Sequence, residues 1–396
     1  MTGNAGAPEA PLRIGILGGG QLGAFLCRAA RALDVHSTVI DPAADCSAAA
    51  VADVFYAGDW NDSALIDRLA DEVDYITFEI EAIAPEILTR LADHAKAGRV
   101  IVAPDPEVLR LLQNKGLQKQ WLVRQGLPTA LFLALEAEEL DAGAIAGKLG
   151  LPFVQKAQTG GYDGRGVQVI HSEAEFPSLW PVPTVAEPYL AERRELAVLV
   201  ARSQDGQLAC YDPVSLEFYS AGNILDQVMA PATVSSVIAE RAMGIARAAI
   251  KGLGTPGLFA VEMFLLPDDS LLINEISPRV HNAGHHTMEA CETSQFEQHV
   301  RAVLGMALGS TQLKRPAVMK NLLAEPGRHI DMKESEIGQP RSLELESGLH
   351  VHWYGKAPSK AWRKIGHITS LDADPAVARD RACTALNSLA EMGPAA

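Results

Sequence analysis

The sequence predicts an α/β protein that begins in a Rossmann-like domain, and three observations carry that prediction. A short apolar run, Leu12 to Leu17, passes straight into Gly18-Gly19-Gly20-Gln21-Leu22-Gly23, with a helix expected from about Ala24 to Leu33. A second apolar run, Ser37 to Ile40, ends at Asp41, so a G-x-G-x-x-G turn is followed by an acid about 20 residues on, the spacing that lets backbone approach a phosphate. Beyond it, apolar strand runs and helical stretches continue over 396 residues, too many for one ordinary core.

The chain is 48% apolar and 21% charged, the balance of a soluble globular protein. Its net charge of −15 excludes a nucleic-acid footprint while leaving room for a local basic pocket. Five cysteines, Cys27, Cys46, Cys210, Cys291 and Cys383, stand far apart with no C-x-x-C pair and read as reduced thiols. Met1 to Pro11 is small and polar, without the order of a signal peptide, and no apolar run approaches the roughly 18 residues of a membrane span. A cytoplasmic enzyme without a membrane partner is expected.

A strand over Asp74 to Ile80 carries Glu79, with Glu81 just beyond, where open α/β sheets place ligand contacts. Pro104 to Pro106 punctuates the chain, and Val108 to Gln125 reads as one helical stretch stopped at Gly126 and Pro128. A first domain of residues 1–118 is placed here, followed by a second over 119–316 and a third over 317–396. A helix over Ala137 to Leu149 and a strand over Pro152 to Val154 lead to Lys156 and then Gly160-Gly161-Tyr162-Asp163-Gly164-Arg165-Gly166. Four glycines in seven residues make a lid able to lay backbone N–H groups over phosphates, where a hairpin turn needs only two.

Strands expected at Thr184 to Glu187, Arg194 to Ala201, Leu258 to Phe264 and Leu271 to Ile276 surround a helix over Ala239 to Gly252. The last two carry Glu262 and Glu275, a pair suited to Mg²⁺, which takes one or two carboxylates and completes its shell with phosphate oxygens and water. Glu262 lies in apolar Phe259-Ala260-Val261-Glu262-Met263-Phe264, where an unpartnered charge is costly. Asn274 and Glu275 are followed within seven residues by Arg279, His281 and Asn282, so cation acceptors sit beside anion donors, as phosphoryl transfer to a small anion requires. His281, His285, His286 and His299 fall within nineteen residues, but no cysteine or acid has the spacing of a zinc site.

Together, the Gly18–Gly23 loop with Gln21-Leu22, the lid, the run from Asn274 to Thr287 continuing into Thr293–Ala302, and the late His352-Trp353-Tyr354-Gly355-Lys356 and Trp362-Arg363-Lys364 segments resemble the N5-carboxyaminoimidazole ribonucleotide synthetases of purine biosynthesis, members of the ATP-grasp family. The resemblance covers nearly the whole chain. It implies an ATP-grasp fold, α/β in class and α+β overall, with a Rossmann-like preATP-grasp domain, an ATP-grasp domain whose lid part spans about 119–190 and core about 191–316, and a small β-rich C-terminal domain. It implies that ATP with Mg²⁺, or Mn²⁺ in its place, phosphorylates bicarbonate to carboxyphosphate. The exocyclic amine of 5-aminoimidazole ribonucleotide then takes the carboxyl group after CO₂ is released in the closed site.

Position by position, Lys115 and Lys156 match the nucleotide-phosphate contacts, as do lid residues Gly161, Tyr162, Gly164, Arg165 and Gly166. Glu187, Pro188, Tyr189 and Leu190 match the hinge against adenine, Glu195 the ribose contact, and Asn274 a neighbour of the nucleotide. Glu262 and Glu275 match the magnesium carboxylates; Arg279, His281 and Asn282 match the surroundings of bicarbonate, with Asp163 also placed at the chemistry. Gly20, Gln21, Leu22, Glu79, Tyr162 and Asp163 match walls for the ribonucleotide, and Lys356, Arg363 and Lys364 its 5′-phosphate clamp. A homodimer is implied by resemblance alone.

The chain departs from that pattern at Phe218 and Asp226, where an Asn and a basic residue are usual, and at Ala24, Ala283 and His286. Two other readings stand at this stage: a formate-activating ATP-grasp ligase, and a protein whose glycine loop binds NAD without ligase activity.

Overall fold

A computed structural model describes residues 11–161, 166–219, 224–324, 341–356 and 362–391. Lid residues Tyr162, Asp163, Gly164 and Arg165 therefore lie outside the described residues. The first unit holds strands β1 (Arg13–Leu17), β2 (His36–Asp41), β3 (Val54–Ala57), β4 (Tyr75–Phe78) and β5 (Ile101–Val102) with helices α1 (Gln21–Ala32), α2 (Ser63–Glu72) and α3 (Pro85–Lys96). They form a parallel sheet in the order β3-β2-β1-β4-β5. Such sheets are buried on both faces, and Ile14, Ile16, Val39, Ile40, Ile76 and Phe78 are accordingly closed off from solvent.

Helices α4 (Pro106–Gln113) and α5 (Lys115–Arg124) come next. The sequence predicts a single helix here, and the chain breaks it at Asn114, whose extended backbone (φ −109°, ψ 112°) ends one helix and caps the next by accepting from the Leu117 N–H. Asn favours this cap because its carbonyl satisfies a first-turn amide. Likewise the expected helix over Ala137 to Leu149 is a short 3₁₀ turn, Ala137–Glu139, followed by α6 (Ala142–Leu149), with Asp141 capping the latter.

A four-stranded antiparallel sheet, β6 (Leu133–Leu135), β7 (Phe153–Ala157), β8 (Val167–Ile170) and β9 (Thr184–Pro188), runs β6-β9-β7-β8 and carries the glycine-rich segment between β7 and β8. The remaining strands are β10 (Arg194–Arg202), β11 (Leu208–Cys210), β12 (Val214–Phe218), β13 (Leu225–Ala230), β14 (Gly257–Leu265), β15 (Leu271–Ser277), β16 (Ala317–Leu323), β17 (Arg341–Glu346), β18 (Leu349–Trp353) and β19 (Lys364–Leu371). They make one ten-stranded sheet, β15-β14-β10-β12-β13-β16-β19-β18-β17, with β11 added to β10. The sheet crosses residue 316 without a seam, because β13 pairs with β16 from Gln227↔Lys320 to Ala230↔Ala317.

Helix α7 (Ser236–Leu253) closes one face of β10, β14 and β15 through Ala242, Ala246 and Ile250 against Val198, Val261 and Ile273. Two further helices, α8 (Thr287–Ala290) and α9 (Gln295–Val303), lie beside the sheet, and α10 (Pro375–Glu391) covers Val318, Val351 and Ile368. All three parts meet around Phe25 of α1, which packs on Phe296 and Tyr354. Beside it, the rings of His285, His367 and His352 stack in parallel, with centroids 4.5 and 4.4 Å apart.

Candidate active site

Glu262 of β14 and Glu275 of β15 face each other in direct cross-strand register. One residue past Glu262 the register slips, so that Met263 pairs with Ile273 and Asn274 is the extra residue of a bulge. In a regular strand consecutive side chains point to opposite faces; the bulge re-aims one, and Asn274 and Glu275 both reach the site. Asn274 Oδ1 accepts from Lys156 Nζ at 2.8 Å, while Glu275 pairs with Lys115 Nζ. The Lys115 charge holds the Glu275 carboxyl low, whereas burial, with Glu275 nearby, pushes Glu262 up to about 8.

Helix α5 is docked against the edge strand β15 by side chains that replace a missing neighbour. The Ile276 N–H donates to Gln118 Oε1 (2.8 Å) and Gln118 Nε2 donates to Ile276 O (3.1 Å). Thr129 Oγ1 donates to Ile273 O at 2.9 Å. This seating aims Lys115 at Glu275, and one turn later it buries Lys119, which the sequence reading missed. Lys119 Nζ donates to Thr129 Oγ1 at 2.8 Å and pairs with Glu187, whose other oxygen lies 2.5 Å from Lys156 Nζ. Burial alone would raise the Glu187 carboxyl; the two ammonium groups outweigh it and hold it at about 2. Its neighbours Pro188, Tyr189 and Leu190 are partly exposed, with Arg193 donating to Leu190 O (2.8 Å) and to Glu195 Oε1 (3.1 Å). Glu195 is raised by burial against the pull of Arg193.

After β15 the chain turns through Arg279 and His281. Arg279 Nε lies 3.0 Å from Glu81 Oε1, off the hydrogen-bond direction, so the contact is ionic. His281 is gripped through its backbone by the buried amide of Gln295, which accepts from the His281 N–H (2.9 Å) and donates to its carbonyl (2.7 Å). His281 Nδ1 accepts from the Ala283 N–H at 3.3 Å, which leaves the proton on Nε2, 3.6 Å from Glu262 Oε1. Asn282 differs from its neighbours: its amide is exchanged with Asn321, Nδ2 to Oδ1 at 3.1 Å and back at 3.0 Å, and Asn321 also donates to Leu225 O. That side chain joins β16 to the turn.

The other histidines go elsewhere. His299 joins Thr77 Oγ1 (2.7 Å) to the Leu258 N–H (3.1 Å), and His286 Nδ1 meets Ala283 O at 3.0 Å. Burial pushes both rings down to about 4, so they are neutral packing groups. The residues Ala283 and His286 are thus buried beside the chemistry without entering it. Asp226, an acid where the resemblance leads one to expect a base, is held by Lys320 Nζ of the neighbouring strand at 2.7 Å to each oxygen.

A second lobe forms at the glycine loop. Gly18 adopts φ +102°, and Glu79 lies so close that a Cβ on Gly20 would come within 2.6 Å of its Oε1. Burial raises Glu79 to about 7 against the charges of Lys356 and Arg279. Lys356 Nζ contacts Gln21 Oε1, whereas Leu22 is buried in the core that the first unit shares with β10, β14 and α9. The Asp41 acid that suggests a dinucleotide takes the Gly19 N–H (2.7 Å) and the Ala43 N–H (2.8 Å). With the Gly19 amide taken by Asp41 and Glu79 packed against Gly20, the loop backbone is occupied where a pyrophosphate would lie, and this geometry disfavours the NAD reading. Lys364 acts on Glu262 and His285, and the Arg363 carbonyl accepts from the Ala324 N–H at 2.9 Å.

Comparison with known proteins agrees with this arrangement. Residues 12–113 match the ribonucleotide synthetase preATP-grasp domain, 120–296 the ATP-grasp domain and 317–381 the phosphoribosylaminoimidazole carboxylase C-terminal domain. The chain is 37% identical over 360 residues to the N5-carboxyaminoimidazole ribonucleotide synthase of Bacillus subtilis, covering 90% of each. It is 36% identical over 366 residues to the chloroplastic phosphoribosylaminoimidazole carboxylase of Vigna aconitifolia, of whose length it spans 63%. The structure of the Aspergillus clavatus N5-carboxyaminoimidazole synthase in complex with ADP and 5-aminoimidazole ribonucleotide superposes with a TM-score of 0.82 at 30% identity, over 96% of this chain and 98% of that one. The chain belongs to the N5-carboxyaminoimidazole ribonucleotide synthetase family of ATP-grasp ligases.

Proposed function

We propose that the protein joins bicarbonate to the exocyclic amine of 5-aminoimidazole ribonucleotide at the expense of ATP, giving N5-carboxyaminoimidazole ribonucleotide, ADP and phosphate. The observation that carries this reading is the cross-strand pair Glu262 and Glu275, flanked by Lys115, Lys156 and His281, with the Arg279 charge acting on Glu79 of the second lobe.

ATP lies with its phosphates toward Lys115 and Lys156, under the lid from Gly161 to Gly166, and its adenine on the hinge from Glu187 to Leu190 near Glu195. The two carboxylates fit Mg²⁺: a partly buried acid pair in which one member is held protonated near neutral pH is what a divalent cation resolves. Glu262 and Glu275 would hold the ion, which screens the phosphate oxygens when bound; Mn²⁺ would serve in its place. A bicarbonate oxygen attacks the γ-phosphorus and ADP leaves, with Arg279 and the Nε2–H of His281 holding the planar anion. Carboxyphosphate then releases CO₂ and phosphate in the closed site, and the amine takes the carbon and loses a proton. Glu79, Gln21 and the Gly20 backbone bind the ribonucleotide, with Tyr162 and Asp163 from the lid, and Lys356, Arg363 and Lys364 clamp its 5′-phosphate. A cytoplasmic homodimer completes the proposal.

Coupled ADP release, with ATP, Mg²⁺, bicarbonate and 5-aminoimidazole ribonucleotide each omitted in turn, tests it. Loss of turnover without bicarbonate is expected; turnover restored by formate would favour the formate-activating ligase instead.

A further inference from the structure

Lys156 is not the only lysine on Glu187. Lys119 reaches the same carboxyl from the buried side, with its side chain and that of Glu187 each 3% exposed, while Lys156, on the nucleotide side, is 11% exposed. Lys119 is fixed by Thr129 Oγ1 at 2.8 Å, and Lys156 by Asn274 Oδ1 at 2.8 Å, so the three charges occupy defined places on α5, β7 and β9. Two ammonium groups and one carboxylate sum to a single positive charge. Without Lys119, Glu187 would face Lys156 alone, and the pair would present no net charge to a phosphate. In a poorly screened interior that difference is felt strongly.

We propose that Lys119 is a positioning residue for nucleotide binding: it balances the Glu187 charge from behind and so leaves the Lys156 charge available to the nucleotide phosphates. The inference rests on the assignment of Lys156 to those phosphates. Burial pushes the Lys119 ammonium down to about 8 against the pull of Glu187, so it remains charged at neutral pH. A purely structural ion pair would leave the nucleotide affinity of the folded protein unchanged; the charge balance predicts an ordered set of affinities.

The test is calorimetric titration of ADP into the full-length protein, with folding of each variant checked by circular dichroism. Lys119→Met, which leaves a neutral pair, is expected to weaken ADP on the order of tenfold while leaving affinity for the ribonucleotide unchanged. Lys119→Arg keeps a charge behind Glu187 and is expected within about threefold of the parent, so that the loss follows the charge. ADP affinity unchanged in Lys119→Met, or a loss as large in Lys119→Arg, would overturn the proposal. If Lys119→Met does not fold, Lys119→Gln is titrated in its place: about the same tenfold loss supports the proposal and parental affinity refutes it. Lys156→Met serves as the control, because unchanged ADP binding there sinks the phosphate assignment itself.

Discussion

Replacing Glu275 with Gln keeps its shape and removes the charge that faces Lys115 and Glu262. ATP turnover is expected to vanish in this variant while circular dichroism stays that of the parent; full activity would remove Glu275 from the metal pair. Its partner gives a second prediction, through pH. Burial holds the Glu262 carboxyl at about 8, above its ordinary value, so below that pH it carries a proton that a divalent cation must displace. Apparent Mg²⁺ affinity therefore rises with pH up to about 8 and levels off above it, with proton release on binding. Titrations in buffers of different ionisation enthalpy measure the release, and a pH-independent affinity would contradict it. At this scale the sequence was informative about type and poor about direction. Glu262 stands out in the sequence as a charge inside an apolar run, and Glu275 and His281 as members of the polar cluster that follows Ile273. The pairing of Asn282 with Asn321, 39 positions away, is not visible in the sequence, because no local pattern encodes it. Lys119 was missed because a lysine four residues after another looks like a solvated helix face.

The elements explain why the side chains converge. Helix α5 exists as a separate unit only because Asn114 caps it, and that break sets the pitch at which Lys115 and Lys119 enter the site. Asn114→Ala is expected to cost about 1 kcal/mol of stability and to raise the KM for ATP, with thermal unfolding and steady-state kinetics as the readouts. An unchanged KM would detach the cap from the site. The sequence reads as one helix over this stretch because periodicity continues through Asn114; a cap inside a periodic run is visible only in the backbone. The same limit hid the bulge at Asn274, whereas β1, β10 and β14 were legible from apolar runs bounded by glycine, proline or charge. Phe259, fully buried between β14 and α7, measures how far the sheet depends on that helix: Phe259→Ala is expected to cost about 3–5 kcal/mol in chemical denaturation.

Across the whole molecule, the ten-stranded sheet carries the carboxylate pair on β14 and β15 and continues into the C-terminal strands, so Lys364 on β19 can act on Glu262. Length and punctuation divide the chain into successive parts, and the strand pairing between β13 and β16 that joins two of them into one sheet is a long-range choice that local patterns do not encode. Arg363→Ala is expected chiefly to raise the KM for the ribonucleotide, since a phosphate clamp acts in ground and transition states alike. An unchanged KM with a collapsed kcat would contradict that role. The central claim is that bicarbonate is phosphorylated beside Glu262 and Glu275. It is tested most directly by running the reaction with ¹⁸O-labelled bicarbonate and following the label into inorganic phosphate by mass spectrometry. One labelled oxygen in the phosphate formed with each carboxylated ribonucleotide is the predicted result; unlabelled phosphate alongside carboxylated product would contradict it.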